Sequence, residues 1–185
     1  MKKLTSLLGI VTILYSTSLF AHNIQLNSPL ATVSVAKDGE LMVKGDDIAY
    51  QAWHSAQLAG KVRVVNHIAG RRDVKERNQA LIEAIKGAQF DRTKYQTTTI
   101  INADDATFGT GSFVKSGAEK GKKANAHSQV VLDQSGAVKA AWQLKEKDSL
   151  VVVLDKAGKV KFVHEGALSA AQVQEVIGLI GELVK

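Results

Sequence analysis

Residues 60–75, GKVRVVNHIAGRRDVK, constrain the fold more than any other stretch. Val62, Val64, Val65 and Ile68 make a near-continuous apolar run, the pattern of a central strand buried on both faces. Ala69 and Gly70 end it. Asp73 then precedes Val74, with Glu76 three residues on, so the spacing predicts a helix capped by Asp73 in a reciprocal box with Glu76. Val74, Leu81, Ile82 and Ile85 share one helical face, and Gly87 predicts the stop. A buried strand feeding an amphipathic helix through a short loop is the building unit of an α/β sheet.

The flanks extend that unit. Residues 31–43 alternate around Lys37-Asp38-Gly39, which predicts an N-terminal β-hairpin turning at Asp-Gly. Residues 44–59 are mixed and read as a loop or short helical turn, packed through Tyr50, Trp53 and Leu58. Residues 95–102, YQTTTIIN, are β-branched and predict the next strand. A helix over residues 112–123 is weakened by Gly117 and Gly121. Residues 128–138 and 150–160 echo one another, each reading as strand, D-x-x-G turn, strand. Two copies do not make a solenoid, so both are taken as hairpin-like corners. Ser169 and Gln172 form a capping box before the apolar stripe of Val173, Val176, Ile177, Ile180, Leu183 and Val184.

The N-terminus reads differently. Lys2 and Lys3 precede an apolar run that ends near Ala21, the layout of a cleavable secretory signal. The expected organisation is a signal over residues 1–21 and one domain over residues 22–185. No later stretch is long enough to span a membrane, which takes about 20 mostly apolar residues. Export places the chain in an oxidising space, yet it contains no cysteine, so thiol chemistry and thiolate metal sites are excluded. The formal charge is +6, or +4 without Lys2 and Lys3. Residues 61–77 hold Lys61, Arg63, Arg71, Arg72, Lys75 and Arg77 against Asp73 and Glu76 alone. The positive excess is therefore local to the strand–helix junction, and nucleic acid is not an expected partner.

Several segments carry a family resemblance. QLAGKV followed by VVN (residues 57–66) is similar to the entry strand of exported thioredoxin-like proteins, and VVVLDKAGKVKFVHEG (151–166) to their terminal hairpin. More specifically, WHSAQLAGKVRVVNHIAGR, LIEAIK, YQTTTIINADDA, AWQL and VVVLDKAGKV together resemble the YtfJ family of bacterial periplasmic proteins. The resemblance covers nearly all of the chain after residue 21. It implies a periplasmic α/β protein: a thioredoxin-like central mixed sheet flanked by helices, with an N-terminal β-hairpin. By the same resemblance Arg72-Asp73-Val74-Lys75 stands where the redox relatives carry CxxC, and Ser149 where they carry a cis-proline. It implies no biochemical activity.

The best candidate site is the junction itself: His67, Arg71, Arg72, Asp73 and Lys75. Backbone N–H groups at a helix start and two guanidinium groups suit a carboxylate or phosphate. Against this stands a solvated loop in which Asp73 caps the helix and competes with any anion. His67 could serve as acid or base, but a histidine in an apolar strand is more often hydrogen-bonded core. His22, if cleavage exposes its amino group, could chelate Cu(II) or Zn(II); no further ligands are identifiable, and no cofactor is expected. Asn102, Asp104 and Asp105 end a strand and read as a polar turn before a weak divalent-cation site. No catalytic triad or zinc-protease spacing is present. Trp53 and Trp142 read as core. The expectation is a non-catalytic, exported binding or adaptor module whose partner is a periplasmic protein or small anion. The alternatives are a thiol-independent enzyme at the His67/Arg71/Arg72 end, or a metal carrier through His22.

Overall fold

Eight consecutive buried residues, Val62–Ala69, form β3, around which the sheet is built. The computed structural model describes residues 22–185; the expected signal segment lies outside them. On one side β3 pairs in parallel with β4 (Tyr95–Asn102), which pairs in parallel with β5 (Gln129–Asp133). On the other it pairs antiparallel with β6 (Ser149–Leu154), followed by β7 (Val160–Glu165). An N-terminal hairpin of β1 (Ser34–Lys44) and β2 (Asp47–His54) joins β5 antiparallel. The mixed sheet has seven strands in the order β2-β1-β5-β4-β3-β6-β7.

Period-2 alternation gives the sheet two apolar faces. On one, α2 (Gln79–Ala88) and α5 (Ala170–Leu183) pack Leu81, Ile85, Val173, Val176 and Ile180 onto Val62, Val64, Val151 and Val153. Beside them α3 (Gly111–Ala124) covers Leu41, Val130 and Leu132. On the other face α4 (Ala137–Trp142) sets Val138 and Trp142 against Val65, Ile100, Val131 and Val152, with Trp53 in the same cluster. Both tryptophans are fully buried, and Trp142 Nε1 donates to the Ala31 carbonyl at 2.9 Å. The capping box of α5 forms as expected: Ser169 Oγ accepts from Gln172 N–H, and Gln172 Oε1 from Ser169 N–H.

Several local expectations are corrected. The hairpin turns at Gly45-Asp46, between β1 and β2; Asp38-Gly39 is instead a bulge inside β1, where the register with β2 shifts. Both bulge residues have positive φ, and a Cβ on Gly39 would lie 2.2 Å from the Gln51 carbonyl oxygen. The Asp-Gly pair supplies left-handed backbone, as a turn would need, but Asp38, Gly39 and Glu40 are held by pairing with β5. Residues 44–59, expected as loop or short helical turn, hold the strand β2 over 47–54 and a helical turn at 55–58; as an edge strand with only Trp53 buried, β2 shows little alternation. Asp73 does not cap: the residue before the helix α1 (Arg72–Arg77) is Arg71, and Asp73 pairs with Arg77 at 3.2 Å. The expected single helix breaks at Asn78, whose buried side chain bonds Gly166 O, Ser149 Oγ and Leu168 N–H. Gly87 lies inside α2, which ends at left-handed Gln89, and residues 137–142 are the helix α4, not a second strand.

Candidate functional site

The face of β3, β4 and β5 beneath α4 is laid down in three layers. At the amino-terminal end of the strands Arg63, Thr98 and Gln129 are buried together: Arg63 Nη1 donates to Thr98 Oγ1 and to Gln129 Oε1, each at 3.1 Å. The middle layer is His67, Ile100 and Val131, with Val65 packed in the same apolar cluster as the last two. The third layer, at the carboxyl ends where open α/β sheets place their ligands, is Ala69, Asn102 and Asp133, all buried, with buried His67 in the layer below.

Loops close over this third layer. The Asp105 carboxylate accepts from Lys139 Nζ at 2.8 Å and from Lys147 N–H at 3.0 Å, while its carbonyl accepts from Arg71 Nε at 2.8 Å. Burial pushes the Asp105 carboxyl up, but those two donors prevail and hold it below the usual carboxylate range. Asp133 Oδ2 accepts from Val138 N–H at 2.8 Å, anchoring the start of α4. His67 is sealed beneath. Burial drives its imidazole down to about 4, against the opposing charges of Asp133 and Asp105, so at neutral pH the ring is uncharged. Its Nε2, like Asn102 Nδ2, is buried without a hydrogen-bond partner in the protein.

The candidate residues do not converge. His67 is 2% exposed and faces α4, out of reach of a bound substrate. Arg71 turns to the Asp105 loop. Arg72, its side chain 93% exposed, runs along its helix to Glu76 at 3.4 Å. Asp73 takes Arg77, which also pairs with Asp148, and Lys75 is exposed. The two-arginine fork is therefore not preassembled. Asp104 and Asp105 share Lys139, at 3.4 and 2.8 Å, so a cation there would have to compete with its ammonium group. Among the described residues no group of three or more His, Asp or Glu side chains is placed to hold a metal ion. Ser149 opens β6 beside Ile68, and its Oγ donates to the Gly166 carbonyl.

The loop after β4 adds residues that sequence reasoning did not single out. Phe108 is fully exposed and Phe113, in the first turn of α3, is 76% exposed. This loop rests on the junction: Gly70 N–H donates to Asn102 O at 2.8 Å, and a Cβ on Gly70 would lie 3.3 Å from Val114 Cγ1. Phe113 thus adjoins in sequence the residue, Val114, that meets Gly70, and Gly70 leads into Arg71 and Arg72. The signal was present as a pair of phenylalanines in a Gly/Thr/Ser loop, TFGTGSF, where a buried role would be unusual. Lys139 carried no local signal, and Asp133 stood out only as the aspartate of the D-x-x-G corner in residues 128–138.

The family model described as "Bacterial protein of unknown function (YtfJ_HI0045)" matches residues 24–183. The chain belongs to this family. An uncharacterized protein of Haemophilus influenzae is 57% identical over 173 residues, covering 94% of each chain. The uncharacterized protein YtfJ of Escherichia coli is 44% identical over 182 residues, covering 98% of this chain and 99% of that one. Among solved structures, a putative protein disulfide isomerase from Bacteroides thetaiotaomicron superposes with a TM-score of 0.59 at 16% identity, over 88% of this chain and 92% of that one. The thioredoxin domain of a thiol-disulfide oxidoreductase from Bacteroides vulgatus gives 0.56 at 12% identity, over 88% and 100%. The YtfJ-family chain therefore has a thioredoxin-like fold. Its 185 residues hold no cysteine, so thiolate attack on a disulfide has no residue to perform it.

Proposed function

We propose that this YtfJ-family protein is an exported, redox-inert binding module that docks a periplasmic partner protein at the carboxyl ends of β3 and β4. The observation that carries this reading is the contrast between what is sealed and what is offered there. His67, Asn102 and Asp133 are buried, whereas Phe108, Phe113, Arg72 and Lys75 face solvent on the segments that follow β3 and β4, which meet where Gly70 N–H donates to Asn102 O. Exposed aromatics beside cations suit a protein segment carrying apolar and acidic side chains. Arg71 holds the loop through the Asp105 carbonyl and serves the surface indirectly.

The test uses the full chain in cells, with a photo-crosslinking amino acid at position 108 or, as control, at Lys156 in the β6–β7 turn. A discrete adduct is expected from position 108 only, and it should fade when Arg72→Ala and Lys75→Ala are combined. Equal adducts at both positions, or one indifferent to the two cations, would remove the surface from consideration. Cell fractionation with N-terminal sequencing tests export. The expected mature chain begins at His22 in the periplasmic fraction, and retention of the intact chain inside the cell would refute that part.

A further inference from the structure

At the opposite end of the sheet a cleft of about 440 Å³ opens between the end of α2, the start of β4 and the loop before β5. That is the size of a small-molecule site. Lys61, Lys86, Arg92 and His127 line it from separate segments, with Phe90 and Tyr95 as an apolar wall, and no carboxylate lines it. The ring centroids of Phe90 and Tyr95 are 5.4 Å apart. The adjoining carboxylate, Asp91, is folded back on Thr93, accepting from its N–H at 2.8 Å and its Oγ1 at 2.7 Å.

The cations are partly explained by structure. The ends of α2 and α3 bring partial negative charge here. Lys122, outside the cleft lining, meets the carbonyls of Ala126 and Ser128 at 2.9 and 2.6 Å, and Lys61 meets the Arg92 carbonyl at 2.8 Å. Lys86 pairs with Glu83 at 2.8 Å on the exposed face of α2. Arg92 has no carboxylate within ion-pair distance among the described residues, and Lys61 keeps two of its three ammonium hydrogens for other acceptors. The donors exceed what the helix ends use.

We infer that this cleft binds a small organic phosphate carrying a ring, the phosphate held by Arg92 and Lys61 and the ring against Phe90 and Tyr95. A phosphate monoester carries close to two negative charges at neutral pH, which matches Arg92 and Lys61, the two lining cations that pair with no carboxylate among the described residues. The site is independent of the docking surface and lies at the other end of the sheet.

Phenyl phosphate, inorganic phosphate and phenol are the probes, each titrated into the isotope-labelled protein while backbone amide shifts are followed by NMR. Phenyl phosphate should move amides at residues 89–97 and 125–128 saturably. Inorganic phosphate should bind at least about tenfold more weakly, and phenol should not saturate. Combining Arg92→Ala with Lys61→Ala should weaken phenyl phosphate at least about tenfold while the remaining spectrum stays folded. Arg72→Ala, at the far end, should leave the titration unchanged. No saturable shift, saturation elsewhere, inorganic phosphate binding as tightly, or an unaffected double variant would each overturn the inference. If the double variant loses its dispersed spectrum, Arg92→Gln replaces it under the same criteria.

Discussion

Residues 128–138, SQVVLDQSGAV, and 150–160, LVVVLDKAGKV, share a strand, an aspartate and a glycine three residues on, yet they end in different structures. Asp155 closes a hairpin: its N–H donates to Lys159 O at 2.9 Å, its Oδ1 accepts from Lys159 N–H at 2.9 Å, and Gly158 turns at φ 80°. Asp133 starts a helix: its carboxylate accepts from Ser135 N–H and Oγ and from Val138 N–H, with Gly136 at φ 67°. Asp155 is half-buried, whereas Asp133 is 0% exposed. The segments after the two glycines differ too: AVKAAW is rich in helix-forming alanine, and VKFVHE alternates. The decisive difference is the neighbourhood. β5 lies between β1 and β4, so no edge is open for the chain to pair back on, while β6 leaves an edge for β7. A shared turn motif thus specifies left-handed glycine and an aspartate acceptor, and the surroundings choose the element.

At neutral pH the largest expected consequence is energetic asymmetry between the aspartates. Asp133→Ala strands the buried Val138 N–H and releases the exposed Ser135 N–H and Oγ to water, and should cost about 2–3 kcal/mol. Asp155→Ala loses one half-exposed backbone contact and a partly exposed ion pair with Lys161 at 3.4 Å, and should cost about 1 kcal/mol. Urea unfolding of both variants measures this, and equal losses would erase the distinction between the corners.

A second difference should appear in acid. His67 adjoins Asp133, and no buried histidine adjoins Asp155. Its folded pKa, about 4, lies below its ordinary value of 6.5, so the unfolded chain takes up the proton first as pH falls. Stability from the neutral ring is complete above about pH 6.5 and is lost as pH drops through 4, an effect on the order of 3 kcal/mol. The carboxylates of Asp105 and Asp148, held below their usual range, add a loss confined to lower pH. His67→Leu should flatten the stability curve between pH 6.5 and 4 and keep the lower limb; an unchanged upper limb would assign the acid sensitivity elsewhere.

The smallest effect concerns the glycines. A Cβ on Gly136 would sit 3.1 Å from Asp104 Oδ2, and one on Gly158 3.5 Å from the Ala59 Cβ. Both positions carry positive φ, so each alanine costs about 1 kcal/mol, with up to about 1 kcal/mol more at Gly136 where Asp104 must shift. Melting of the paired variants resolves the order.

The elements with strong local chemistry were legible without a structure. Val62–Ala69 reads as a doubly buried strand because all its residues find cover, and α5 carries its own cap and stripe. The thioredoxin-like sheet was implied by the family resemblance of residues 57–66 and 151–166, and the absence of cysteine by itself removes thiol chemistry. Other features needed the assembled molecule. Asp38-Gly39 became a bulge because β5 pairs with it, and Asn78 broke a helix because Gly166 and Leu168 lie beside it. His67, Asp105, Asp133 and Lys139 come from four elements and meet only when the sheet and α4 are packed. Period and capping are written within a few residues, whereas which edges are free, which loops meet and which charges are buried depend on contacts between distant parts of the chain.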